Sequence, residues 1–144
     1  MITMTNTIFH EIHQKSRLSI KEVNEALKEF GLYSAQWSIL FCLNRLGSMT
    51  QTEIWQYLNV EAPTVTRTLV KLEERQLITR KEGKDKRERI VQITDEAKVL
   101  IPRIETRIEE LEQTMLQALS EQERTQLSIL LNKISGSGET HVVK

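Results

Sequence analysis

The stretch Thr50-Gln51-Thr52-Glu53-Ile54-Trp55-Gln56-Tyr57-Leu58-Asn59-Val60-Glu61-Ala62-Pro63-Thr64-Val65-Thr66-Arg67-Thr68-Leu69-Val70-Lys71-Leu72 decides the fold. Thr50 and Glu53 make a capping box: the hydroxyl accepts from the Glu53 amide while the carboxylate reaches back to the Thr50 amide. The box opens a short helix through Leu58. Asn59 follows, one of the few residues other than glycine that tolerates a left-handed backbone. Pro63 stands near the first position of the next helix, where its missing N–H costs nothing. That helix runs over about residues 62–75 and buries Val65, Leu69 and Leu72 at i, i+4 and i+7. Two short helices joined by a tight turn make a helix-turn-helix.

Toward the C-terminus the period changes. Leu77–Lys81 and Glu88–Thr94 are short and β-branched, joined by the polar loop Glu82-Gly83-Lys84-Asp85-Lys86-Arg87, and they predict a hairpin. A hairpin directly after the second helix of the motif is a wing. Thr94 then caps a long helix, with Asp95 and Glu96 at the positive end of its dipole. Its apolar residues Ala97, Ile101, Ile104, Ile108, Leu111 and Met115 fall at steps of four and three. Ser120 and Glu123 form a second capping box, opening a last helix with Leu127, Leu130, Leu131 and Ile134.

Toward the N-terminus, a helix from about Thr7 to Phe30 carries Ile8, Ile12, Ile20, Val23, Leu27 and Phe30 at helical spacing, and Gly31 stops it. Ser34 is the expected cap of a second helix with Trp37, Leu40 and Leu43 on one side, ending before Gly47. The fold class is mainly α with a small β-hairpin wing, a winged helix-turn-helix. Residues 34–94 form the winged unit, and residues 8–33 and 95–135 form long outer helices. The outer helices present more apolar stripe than one small domain covers, so they are expected to pair between two chains. Residues 136–144 read as a flexible tail.

A length of 144 residues fits one domain. Five Gly and two Pro are too few for a loop-rich protein. No apolar run approaches the roughly 20 residues that span a bilayer, and Met1 to Thr7 lack the regions of a signal peptide. One cysteine excludes an internal disulfide, and no Cys/His cluster has zinc spacing. A cytoplasmic location, no membrane partner, no metal and no cofactor are therefore expected. The net charge is zero, but residues 67–94 carry nine Lys/Arg against five acids, a basic middle between acidic ends. That is the distribution of a DNA-reading module on a dimerising frame; a solvated charged face is the bland alternative. An enzyme is a poor reading, because the sequence has no Gly-rich phosphate loop, metal set or nucleophile–base pair.

From about residue 8 to 135 the chain resembles the MarR family of winged helix-turn-helix transcriptional regulators. The resemblance is carried by Leu32-x-x-x-Gln36-Trp37-x-x-Leu40, Thr50-Gln51-x-Glu53-Ile54 and Thr64-Val65-Thr66-Arg67-x-Leu69-x-x-Leu72-Glu73. Leu77-Ile78-x-Arg80 and Asp85-x-Arg87-x-x-x-Val91-x-Ile93-Thr94 complete it. It implies a triangular homodimer in which the first and the last two helices interlock. Each recognition helix would enter a major groove of a palindromic operator, and each wing the neighbouring minor groove. Such proteins usually repress genes, and many release double-stranded DNA on binding a small anionic or aromatic effector. Two features depart from the pattern: Gln76 stands where a glycine is usual after the recognition helix, and Pro102 sits inside the long helix, where it is expected to make a kink.

The candidate DNA-binding residues are Thr50, Gln51, Pro63, Thr64, Thr66, Arg67, Lys71, Lys84, Asp85, Lys86 and Arg87. Arg67 lies about 160° around the helix from the Val65–Leu69–Leu72 face, and its two parallel donors suit guanine O6 and N7. A phosphate contact or a solvated charge is its alternative. Thr64 and Thr66 suit a phosphate or a thymine methyl, Pro63 an apolar base contact, and Lys71 a phosphate. Thr50 and Gln51 position the first helix of the motif against the backbone, unless Thr50 is only a cap. In the wing, Arg87 is the candidate for minor-groove insertion. Asp85 is expected to brace Arg87 or Arg80, or else to be a plain turn former. Lys84 and Lys86 serve phosphates.

Cys42 sits amid Ile39, Leu40, Phe41 and Leu43 and reads as a buried, inert thiol, against a redox-sensing alternative. His10 and His13 share a helix face, but no partner completes a metal set. The competing reading from another class is a winged-helix module that docks proteins and uses no DNA.

Overall fold

The computed structural model describes residues 7–85 and 87–136. In chain order the elements are α1 (Ile8–Leu27), a 3-10 turn (Lys28–Phe30), α2 (Ser34–Leu46), β1 (Met49–Thr50), α3 (Gln51–Leu58) and α4 (Ala62–Glu74). They continue with β2 (Ile78–Glu82), β3 (Arg89–Ile93), α5 (Asp95–Met115) and α6 (Glu121–Lys133). The chain falls into two compact units, one up to Ile108 and one from Glu109.

In the first unit the helix-turn-helix is the centre of the core. Leu69 and Leu72 of α4 are fully buried and Val65 nearly so. They join Leu40 and Leu43 of α2, Ile54 of α3, Ile78 and Val91 of the sheet, and Ala97, Ile101 and Ile104 of α5 in one cluster. Truncating one such residue, as in Leu69→Ala, costs about 2–5 kcal/mol because the cavity collapses only partly.

Three helices of this unit end in the same device, a residue at positive φ with paired backward bonds. At Gly31 (φ 67) the Leu32 N–H reaches the Leu27 carbonyl at 3.3 Å. At Asn59 (φ 56) the Val60 N–H reaches Trp55 at 3.1 Å. At Gln76 (φ 61) the Leu77 N–H reaches Leu72 at 3.0 Å. A glutamine there costs on the order of 1 kcal/mol against glycine. Thr94 supports the turn: its hydroxyl donates to the Gln76 carbonyl at 2.8 Å and accepts the Ala97 N–H at 3.2 Å, capping α5.

The wing is a three-stranded antiparallel sheet in the order β1-β3-β2. Met49 pairs with Val91 on one side, and Ile78 with Ile93 and Arg80 with Val91 on the other. The sequence predicts only the hairpin. β1 is two residues long, too short to show a period of two, and it leads straight into the capping box. Both hairpin strands begin one residue later than their sequence pattern.

The start of α2 also differs from expectation. Tyr33, not Ser34, is the cap residue, and Gln36 Oε1 accepts its N–H at 2.8 Å. Ser34 is already the first helical residue, and its N–H, which has no partner within the helix, goes to Asn24 Oδ1 of α1 at 2.7 Å. The last residues expected in α1 tighten into the 3-10 turn. Just beyond it, Arg75 Nη1 donates to the Gly31 carbonyl at 2.7 Å, fastening the end of α4 to the α1–α2 junction. Along α1, Ile8, Phe9, Leu18 and Ile20 are exposed.

α5 runs through Pro102 to Met115 without interruption. In the second unit Ser120 and Glu123 cap α6 reciprocally at 2.9 and 3.1 Å. Arg124 staples the preceding turn, donating to Gln113 Oε1 at 2.6 Å and to the Leu116 carbonyl at 2.9 Å. On α6, Leu127, Ile129, Leu130 and Leu131 are all exposed, four large apolar side chains within five residues. The tail expected over 136–144 lies outside the described residues from 137 onward, as does Lys86.

Candidate nucleic-acid interface

The start of α3 is built by its capping box. The Thr50 hydroxyl accepts the Glu53 N–H at 3.1 Å and Glu53 Oε1 accepts the Thr50 N–H at 2.9 Å. Thr50 is therefore a cap, and its hydroxyl proton remains to be donated. Gln51 beside it is half-buried.

Along α4, Pro63, Thr66, Arg67 and Lys71 are exposed and Thr64 is half-buried. Arg67 Nη2 donates to Thr64 Oγ1 at 3.3 Å, which turns the guanidinium toward the start of the helix. The two threonines differ. Thr66 spends its proton on the Ala62 carbonyl at 3.1 Å, leaving its methyl and a lone pair for a ligand. Thr64 accepts from Arg67 and keeps its proton.

In the wing loop Lys84, Asp85 and Arg87 are all exposed. Asp85 does not brace a guanidinium: its Oδ1 accepts the backbone N–H of Arg87 at 3.1 Å, the bond of an aspartate-formed turn. Arg80 is held elsewhere, donating to both carboxylate oxygens of Glu73 at 2.9 and 3.3 Å. Those hydrogen bonds keep the Glu73 carboxyl below its ordinary value and raise Arg80. Gly83 makes room for the loop, since a Cβ there would stand 2.7 Å from the Glu88 carboxylate.

Between α3, the start of α4 and the base of the wing lies a cleft of about 530 Å³. It brings together Thr50, Gln51, Thr66 and Arg87 from the sequence candidates, and adds Thr52, Trp55 and Arg89, which the sequence reading passed over. Arg89 lies within the basic stretch, but charge alone does not say which cations share a wall. Pro63, Thr64, Arg67, Lys71, Lys84 and Asp85 do not line the cleft.

Cys42 is fully buried; burial pushes its thiol up to about 11, and Sγ donates to the Ile39 carbonyl at 3.2 Å. Among the described residues no group of three His, Cys, Asp or Glu side chains could hold a metal ion. No described helix is long and apolar enough to cross a membrane.

The MarR family profile matches residues 32–88. The chain is 46% identical over 123 residues, 85% of its own length and 90% of the relative's, to the uncharacterized HTH-type transcriptional regulator YwoH of Bacillus subtilis (strain 168). Among solved structures it resembles a mutant MarR from E. coli complexed with operator DNA, with a TM-score of 0.78, 23% identity, and 92% of this chain and 98% of that one covered. It also resembles Bordetella bronchiseptica BpsR, whose DNA binding is regulated by 6-hydroxynicotinic acid, with a TM-score of 0.80, 19% identity, and 89% and 98% covered. At these identities the structural likeness concerns the fold.

Proposed function

We propose that this chain, which belongs to the MarR family of transcriptional regulators, is a homodimeric repressor released from a palindromic operator by a small anionic or aromatic effector. The observation that carries the DNA-reading part is Arg67, exposed on the outward side of α4 with its guanidinium steered by Thr64. A rigid helix that presents a preset pair of donors opposite its buried face is suited to read guanine in a major groove. Arg87, held at a turn by Asp85, suits the narrow groove alongside. Thr50 and Gln51 supply backbone contacts, and Lys71, Lys84 and Lys86 supply phosphate charge. The E. coli relative on operator DNA supports this arrangement, and BpsR supports effector control.

Dimerisation rests on the exposed apolar residues of α6 and, separately, on those of α1, since large apolar side chains exposed in such numbers mark an interaction surface. A two-fold dimer reads an inverted repeat.

The test is selection of bound duplexes from a randomised library, followed by fluorescence anisotropy on the enriched sequence and sedimentation at low micromolar concentration. An enriched inverted repeat bound by a dimer is the expected result. A folded monomer would remove the inverted-repeat argument. Failure to bind any duplex would leave a protein-docking winged helix as the better account.

A further inference from the structure

We propose that Arg89 grips a DNA backbone phosphate in the cleft between α3 and the wing, adding to each subunit a cation that neither the recognition helix nor the wing tip supplies. The inference rests on the DNA-binding reading above. Arg89 opens β3, is exposed, and lines the 530 Å³ cleft together with Arg87. The α3 side of the cleft supplies Thr50, Thr52 and the half-buried Trp55. A phosphodiester asks for a guanidinium fork and neighbouring hydroxyl donors, with no need for a base-reading helix. Thr50 retains its hydroxyl proton, because its oxygen accepts from the Glu53 amide.

Four carboxylates stand near enough to matter, and each is diverted. Glu82 is the cross-strand neighbour of Arg89, yet no ion pair within 4.0 Å joins them among the described residues. Glu73 is drawn electrostatically to Arg89, but both of its oxygens are taken by Arg80. Glu88 carries its carboxylate toward Gly83, and Glu53 is engaged by the Thr50 amide. Arg89 thus keeps a guanidinium without an ion-pair partner among the described residues, over a cleft whose lining holds the hydroxyls of Thr50, Thr52 and Thr66 together with the carboxylates of Glu53 and Glu88. Its place at the base of the wing, set back from the loop that carries Arg87 and beside the hydroxyls of α3, suits a backbone phosphate better than a base edge.

The test compares the salt dependence of wild type, Arg89→Ala and Arg89→Lys on two duplexes. One is the sequence enriched on the wild-type protein and the other is its scrambled version. For Arg89→Ala the slope of log affinity against log salt should fall by about one unit per subunit, and both duplexes should weaken by the same factor. Arg89→Lys should recover most of the slope, since a phosphate needs the charge. An unchanged slope for Arg89→Ala, or a loss confined to the enriched duplex, overturns the proposal. If the alanine variant does not fold, Arg89→Gln carries the same comparison with most of the side chain kept. A selection on wild type that enriches no duplex would overturn the DNA-binding reading itself; wild type binding both duplexes while Arg89→Ala matches it overturns only the phosphate grip.

Discussion

Arg80 of β2 and Glu73 of α4 share a two-pronged ion pair, with Nη2 2.9 Å from Oε1 and Nε 3.3 Å from Oε2. A parallel fork of this kind fixes direction as well as distance. It ties the wing to the last turn of α4, so the angle between the two elements is set by a side-chain pair as well as by the core beneath them.

Breaking that fork is expected to cost little stability and more binding. Both groups are partly exposed, so the pair contributes within the roughly 0.2–1 kcal/mol of screened surface pairs. Arg80→Ala and Glu73→Ala should each lower operator affinity more than they lower the melting temperature, and the double variant should lose less than the sum. Full additivity in operator affinity would show that the pair does not set the wing. The hydrogen bonds from Arg80 depress the Glu73 carboxyl below its ordinary 4.5. Its stabilisation is therefore present above about pH 4.5 and is lost as pH falls through the lower folded value. Thermal melts of wild type and Glu73→Gln should converge as the buffer is taken below that pH; a constant gap down to pH 3 contradicts the assignment.

Arg67→Ala should cost about 1–3 kcal/mol per half-site and relax preference mainly at one base pair. Thr64→Val removes the hydroxyl that steers the guanidinium at 3.3 Å, so it should relax the same base pair to a smaller degree. Anisotropy with base-substituted duplexes decides. A uniform loss on all sequences would make Arg67 a phosphate contact.

Arg87→Ala should weaken binding to many sequences and flatten the salt dependence by roughly one unit per subunit. The selectivity that remains attached to it should concern A·T-rich, narrow-groove flanks. Because Asp85 holds the Arg87 main chain and not its side chain, Asp85→Asn should bind DNA at least as tightly as wild type, and Asp85→Ala should bind less tightly. Equal losses in both variants would mean that the carboxylate charge itself matters.

Cys42→Ser should leave operator affinity, and its indifference to peroxide, unchanged. The thiol pushed up to about 11 by burial has almost no thiolate at neutral pH, and the thiolate is the species that oxidants attack. Peroxide that releases wild type from DNA but spares the serine variant would reverse this reading.

Local signals were legible and long-range ones were not. The capping boxes at Thr50 and Ser120, the positive-φ residues Asn59 and Gln76, and the buried face of Val65, Leu69 and Leu72 are all dictated within a few residues. Ser34 misleads because the extended residue before it, Tyr33, is held at the cap by Gln36, while Asn24 of α1 takes the Ser34 N–H. Asp85 misleads for a similar reason: Glu73, on a different element, reaches Arg80 first and leaves Asp85 to its own turn. The place of Arg89 in the cleft stays hidden because nothing in the order of residues places β3 beside the first turn of α3.

The bond from Arg75 to the Gly31 carbonyl bears on how genetics on this protein will look. Gly31 carries two constraints at once, a backbone at φ +67 and a guanidinium nitrogen 3.3 Å from where a Cβ would sit. A screen for lost DNA binding is therefore expected to return substitutions at position 31 alongside those at Arg67 and Arg87. In a plate assay they will look like contact residues. Purified protein separates them, since the Gly31 substitutions lower the melting temperature and leave the base preferences of the surviving folded fraction intact.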